Sequence, residues 1–458
     1  MNRYTTLAYA NADDMVFGRA LHPVKCGFDL TIGGNYVVPE LKYAPRPGKE
    51  ESLPTILDEY RRITKDALER AVGIGLPAVV LELEHVFQLT YHPEWGAEVT
   101  RMTKDMLGEY HSKYGLKSAL RATIADIRKA EEGMRNSDRI QRMLDSFESC
   151  SANGADILSI ESIGGKEVFN YCVTRQDIAG AIFSVGVLGS LDMEFLWQKI
   201  CSIAGRHDII AGGDTDCAHS NTAMFLAGGL LSNEMPHIFA ALVRALGAAR
   251  SLVAFENGAV GPAKDCGYEN VILKAITGYP MSMEGKTSAC AHSDLMGNLM
   301  MATCDLWSNE AVQYGEMFGG TTPQVFMEML GYDVAQMNTA LQLGSEKVLR
   351  DIFVQSDKYR DPQALVLAPE EAYSIGEAIV SETDYYRRSV KAVKKAGEII
   401  SQANEKKLLP LTRLENDTLQ RMMSVVNTLP ESSDEFIEWG IQEYSKVVPE
   451  FREGNYGM

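Results

Sequence analysis

Pro77-Ala-Val-Val-Leu-Glu-Leu-Glu84 is a short apolar run that ends in two alternating glutamates and passes directly into His85. It reads as a strand, and it is the first of a series. Leu116–Thr123, Ala155–Glu161, Ala181–Val187, Ile209–Gly213, Leu252–Glu256 and Met281–Glu284 have the same character, and Val312–Phe318 is a fainter eighth. The stretches between them carry helix signals, such as Gln141–Cys150 and the alanine-rich Met235–Leu246. Strands alternating with helices imply a parallel α/β sheet. Eight such units favour a closed (β/α)8 TIM barrel over an open sheet. A G-x-G-x-x-G fingerprint does not occur in the chain, so a dinucleotide-binding fold lacks its best signal.

Working outward, residues 1–75 hold the punctuators Gly33-Gly34 and Pro45-Arg-Pro47 and a helix from Leu53 to Ala71. They read as a cap on a catalytic barrel of residues 76–322. From Pro323 the pattern turns helical, at Pro323–Leu341, Pro369–Val380, Tyr385–Asn404 and Ser433–Val447. Residues 323–458 are therefore expected to form a helical C-terminal extension. A formal charge of −18 repels phosphate backbones and anionic bilayers, which argues against nucleic acid and membrane as partners. The start lacks the apolar core of a secretory signal, and a cytoplasmic location is expected. Among eight cysteines there is no C-x-x-C pair, so zinc fingers and thioredoxin-like motifs have no support.

In a barrel of this kind the reactive groups stand at the carboxyl ends of strands. Five ends are rich in polar residues: Glu82-Leu-Glu84-His85, Glu161-Ser-Ile-Gly-Gly-Lys-Glu167, Gly212-Gly-Asp214-Thr-Asp216-Cys217, Glu256 through Asp265-Cys266, and Glu284-Gly285-Lys286 through Cys290-Ala-His292. Two thiolates and a carboxylate, here Cys217, Cys266 and Glu161, make a three-ligand zinc site that leaves one tetrahedral position open, the pattern of catalytic zinc. Soft sulfur favours zinc over magnesium or calcium. Either cysteine also reads as a small packed hydrophobe. Spacing alone does not choose between the two.

Longer motifs bear on that choice. Ser159-Ile-Glu161-Ser-Ile-Gly-Gly-Lys-Glu-Val-Phe169, Ala211-Gly-Gly-Asp-Thr-Asp-Cys217, Gly258-Ala-Val-Gly-Pro-Ala-Lys-Asp-Cys-Gly-Tyr-Glu-Asn270, Met283-Glu-Gly-Lys-Thr-Ser288 and Cys290-Ala-His-Ser-Asp294 resemble the methanol:corrinoid methyltransferase family. The resemblance extends from Pro45-Arg-Pro47 to Asn455-Tyr-Gly457. It implies a zinc-dependent TIM barrel that moves the methyl group of methanol to cob(I)alamin on a separate corrinoid protein, with Glu161, Cys217 and Cys266 as zinc ligands. It also implies a homodimer joined to carrier subunits. The D-x-H-x-x-G pattern of corrinoid carriers is absent here, which places the cobalamin on the partner.

Methanol is a poor methyl donor because hydroxide leaves badly, and a zinc ion on its oxygen withdraws charge as the bond breaks. Two thiolates and a carboxylate around Zn²⁺ sum to a formal −1, so a bare hydroxide would add negative charge to a site that already carries it. A proton donor is expected beside the metal. Asp214, Asp216, Glu84, Glu256, Lys286 and His292 are candidates; each carboxylate also reads as support for the ligands or as a helix cap. Gly285-Lys286-Thr287 imitates the end of a phosphate loop, but Pro280 stands where the first glycine is needed. Competing expectations are another zinc barrel enzyme, acting on a different methyl donor or on water, and a noncatalytic zinc scaffold for a corrinoid protein.

Overall fold

The computed structural model describes residues 2–228, 235–285, 295–311 and 314–458. It opens with an antiparallel hairpin of β1 (Arg19–Cys26) and β2 (Leu30–Gly34). Seven parallel strands follow: β3 (Val38–Tyr43), β4 (Ala78–Glu84), β5 (Lys117–Ile124), β6 (Ile157–Ile160), β7 (Ile210–Asp214), β8 (Ser282–Glu284) and β9 (Leu306–Ala311), paired in the order β7-β6-β5-β4-β3-β9-β8. Residues 260–263 join the two edges. The Val260 and Gly261 amides donate to the carbonyls of Ala211 and Gly212, both at 2.9 Å, and Ala263 makes a parallel bridge to Met281. This segment is the eighth stave, and with it the sheet closes as a TIM-type barrel. Gly261 has φ +73°, and a Cβ there would stand 2.4 Å from the Pro280 carbonyl oxygen. Only glycine meets both conditions.

Period-two alternation divides each strand between lumen and outer layer. In β4, Val79, Leu81 and Leu83 join the large core shared with the helices, whereas Ala78 and Val80 face inward. The lower lumen is apolar: Val38, Ala78, Val80, Ala119, Ile157 and Leu306 pack together and are closed from below by Leu30 and Ile32 of β2. Above that layer the inward positions become ionic, with Glu40, Lys42, Glu82 and Arg121 all buried.

The structure corrects several expectations. Residues 1–75 are not a separate cap, because β3 lies within them and is a central stave between β4 and β9. Pro39, which cannot donate to the ladder, and the inward Glu40 and Lys42 disguise that strand. Ala181–Val187 belongs to the helical run Ile178–Gly189, and Leu252–Glu256 ends the helix His237–Glu256. Both stretches are buried on every side, and a wholly buried apolar run has no period that separates strand from helix. Ile178–His207 and His237–Glu256 are long and apolar enough to cross a membrane, yet both are packed inside this fold. Of Val312–Phe318, residues 312–313 lie outside the described residues, and Glu316–Met317 pairs antiparallel with Gly320–Thr321. The stave is β9, just upstream. Helix Thr322–Leu343 packs on β3, β9 and helix Leu53–Gly73, so the outer ring of the barrel extends past residue 322.

Candidate metal centre

Three strand ends converge at the mouth. Glu161 follows β6, Cys217 begins the π-helical turn Cys217–Asn221 after β7, and Cys266 follows the eighth stave. One donor atom from each lies within 4.8 Å of the others. Cys266 Sγ donates to Glu161 Oε1 at 2.8 Å, and Thr215 Oγ1 lies 3.5 Å from Cys266 Sγ. Asn221 Nδ2 donates to Cys217 Sγ at 3.3 Å and to the Cys266 carbonyl at 3.2 Å, while its Oδ1 accepts from Arg244 at 2.9 Å. Hydrogen bonding to Cys266 favours the Cys217 thiolate, but burial and the Glu161 carboxylate outweigh it and raise the thiol. Its bond to Cys217, then burial, push Cys266 well above the ordinary thiol range. Two sulfurs and a carboxylate so close together keep their thiol protons unless a cation replaces them, and this donor set fits a borderline-soft divalent ion with one position left open.

Cations of the chain border the carboxylate. Lys264 Nζ lies 2.9 Å from Glu82 Oε1, 2.5 Å from Asp265 Oδ1 and 3.3 Å from Glu161 Oε1. Burial alone would lower this lysine, but Asp265 and Glu82 hold it well above its ordinary value. Burial raises Glu161, and Lys264 and Lys42 overcome that, so the carboxyl sits below its usual range. Lys42 Nζ stands among Glu284 at 3.3 Å, Asp265 at 3.4 Å, Glu310 at 3.6 Å and Glu84 at 4.0 Å. The side chains of Glu84, Glu161 and Glu310 keep 26, 26 and 24 % exposure, whereas those of Glu82, Lys264, Asp265 and Glu284 have none. The open face of the site is therefore on the Glu84–Glu161–Glu310 side.

A family model for the B subunit of methanol-cobalamin methyltransferase matches residues 1–457. The chain belongs to that family. A methanol–corrinoid protein co-methyltransferase of Methanosarcina barkeri is 51% identical over 458 residues, covering 100% of this chain and 99% of the relative. A crystal structure of the methanol:cobalamin methyltransferase complex MtaBC from the same organism superimposes with a TM-score of 0.97 at 51% identity, covering both chains completely. Within this methyltransferase fold the remaining candidates separate clearly.

Asp214 and Asp216 face away from the mouth. Asp214 accepts from Ser162 Oγ at 2.7 Å, the Thr215 amide at 2.8 Å and Trp197 Nε1 at 3.2 Å. Burial pushes it up to about 6 against the pull of Arg250. Asp216 accepts from Ser220 Oγ at 2.6 Å and lies 2.5 Å from His219 Nδ1. Burial raises it, and His219 with Arg250 more than reverses this. Arg250 also donates to Ser162, next to Glu161, at 2.6 Å. These groups tie the loop of Glu161 to that of Cys217, and both aspartates pair with Arg250. Glu256 ends a helix and is paired with Arg3 and Arg388. Lys286, Cys290 and His292 lie outside the described residues. Lys264, Asn221 and Arg250 were missed by sequence reasoning; only Lys264, two residues before Cys266, stood inside a motif that could have disclosed it.

Proposed function

We propose that this chain transfers the methyl group of methanol to cob(I)alamin carried by a separate corrinoid protein, giving methylcob(III)alamin, with Zn²⁺ held by Glu161, Cys217 and Cys266. The observation that carries the reading is the convergence of those three donors within 4.8 Å at the mouth of a chain 51% identical to a methanol–corrinoid protein co-methyltransferase. Zinc bound there would supply Lewis acidity to the methanol oxygen as its carbon–oxygen bond weakens.

The chain's own residues supply the rest. Lys264 and Lys42 keep Glu161 ionised. Asn221 donates to Cys217 and so favours the charged sulfur. Glu84 is part-exposed on the open face; partial burial pushes its carboxyl up to about 8 against the pull of Lys42 and Lys264, and the Glu161 and Glu310 charges add to the rise. It holds a proton at neutral pH and supplies it to the departing oxygen, which leaves as water. Asp214 and Asp216 act as positioning residues for the ligand loops. The cobalt approaches the methyl carbon opposite the oxygen, so the carrier docks on the mouth. A homodimer joined to carrier subunits, working in the cytoplasm, completes the proposal; the two long apolar helices are spent inside the fold.

The experiment is the spectral change of cob(I)alamin on adding methanol, with a competent carrier present and zinc content measured on the same sample. Methanol-dependent methylation that disappears with the metal is the expected result. Bound zinc without methanol-dependent methylation would turn the search to other methyl donors or to hydrolysis, and a zinc-free active protein would end the ligand assignment.

A further inference from the structure

Lys264 has no solvent exposure, yet its ammonium is held by three carboxylates, those of Glu82, Asp265 and Glu161. The ammonium donates to Asp265 Oδ1 at 2.5 Å and stands at ion-pair distance from Glu82 Oε1, 2.9 Å, and from a third carboxylate at 3.3 Å. The third is Glu161 Oε1, the same oxygen that accepts from Cys266 Sγ. A buried cation is costly unless its geometry is fully satisfied. Here two of its partners are braced from elsewhere: Thr123 Oγ1 donates to Glu82 Oε1 at 2.7 Å, and Ser308 Oγ donates to Asp265 Oδ2 at 2.7 Å. Among the described residues, no hydroxyl braces Glu161 in this way. Its Oε1 is contacted by Cys266 Sγ, which donates to it, and by Lys264.

Three anionic ligands around a divalent ion leave a formal charge of −1, and Lys264 touches the one ligand that is a carboxylate. Resting on the function proposed above, we propose that Lys264 is a positioning residue of the metal centre: it turns Glu161 Oε1 toward Cys266 and offsets the excess negative charge of the donor set. Loss of a group that orients a metal ligand typically lowers metal affinity 10- to 100-fold.

The test uses the full chain, stripped of metal and titrated with zinc against a chromophoric chelator, and with Co²⁺ as a spectroscopic substitute. Wild type comes first: failure to bind about one zinc per chain would refute the proposed function itself. If wild type binds, Lys264→Gln is expected to bind zinc about 10- to 100-fold more weakly and, at saturating Co²⁺, to shift the sulfur-to-cobalt and d–d absorption bands. Affinity within threefold of wild type with an unchanged cobalt spectrum overturns the inference and leaves the zinc site standing. If Lys264→Gln does not fold, the charge-balanced pair Glu82→Gln with Lys264→Gln takes its place, with the same weakening expected. If neither folds while Glu161→Gln does, Lys264 serves barrel stability alone and the inference falls.

Discussion

The two halves of the barrel lumen are built from the same strands and differ in almost everything else. Below, Val38, Val80, Ala119, Ile157 and Leu306 interlock with Leu30 and Ile32. Above, the inward positions of the same staves carry Lys42, Glu82 and Arg121, joined by Lys264 and Asp265 just after the eighth stave. Arg121 illustrates the boundary: its guanidinium donates to Glu40 at 2.7 Å, to Ser159 at 2.9 Å and to the Pro262 carbonyl at 2.9 Å. Apolar contact below is indifferent to small changes of direction, whereas each charge above needs its partner at a fixed position. The lower half holds the barrel shut; the upper half holds a reactive constellation in place.

Substitutions can break this division at either end. The largest effect is expected from Cys266→Ala, which should remove bound zinc and reduce methanol-dependent methylation at least about a thousandfold, equivalent to about 4 kcal/mol of barrier. Metal analysis, the cob(I)alamin assay and a melting curve on one preparation check this; a noncatalytic scaffold would instead lose its fold. Leu306→Ala, in the lower lumen, should cost about 3 kcal/mol of stability through the cavity it leaves while folded protein keeps its zinc, as denaturant unfolding with metal analysis would show. Glu84→Gln should slow transfer about a hundredfold with zinc retained. The sign of its pH effect follows from the acid role: the proton is present below about 8, so wild-type activity falls as pH rises through that value, and the variant should lack that limb. Smallest is Ser308→Ala, which removes one donor to Asp265 and should cost about 1.5 kcal/mol in unfolding measurements, with little change in metal content.

The sequence disclosed the upper half better than its frame. The staves at Pro77–Glu84, Leu116–Thr123 and Ile209–Gly213 show themselves because apolar residues alternate or run together and then stop at polar ends. Val38–Tyr43 hides because its inward residues are charged and Pro39 sits in a central strand. Residues 260–263 are too short, and too interrupted by Gly261 and Pro262, to read as a stave at all. At the site, Glu161, Cys217 and Cys266 read as metal ligands or as packed side chains until the family resemblance chose between them, and the structure brings them together. Asp214 and Asp216 looked equally promising because a polar strand end does not say which way its side chain turns. Both face Arg250, on the helix outside the barrel, a partner 34 or more positions along the chain that spacing alone cannot pair with them.

The hairpin of β1 and β2 has a kinetic meaning as well as a structural one. Leu30 and Ile32 close the barrel from below against a packed apolar layer, so the ionic layer above is approached from the mouth. With one approach, a small alcohol is expected to enter before a bulky corrinoid carrier covers the mouth, and the water formed to leave after the carrier. Initial-rate patterns at varied methanol and carrier are then expected to show compulsory-order binding, with the small reactant first in and its remnant last out; a random-order pattern would contradict this.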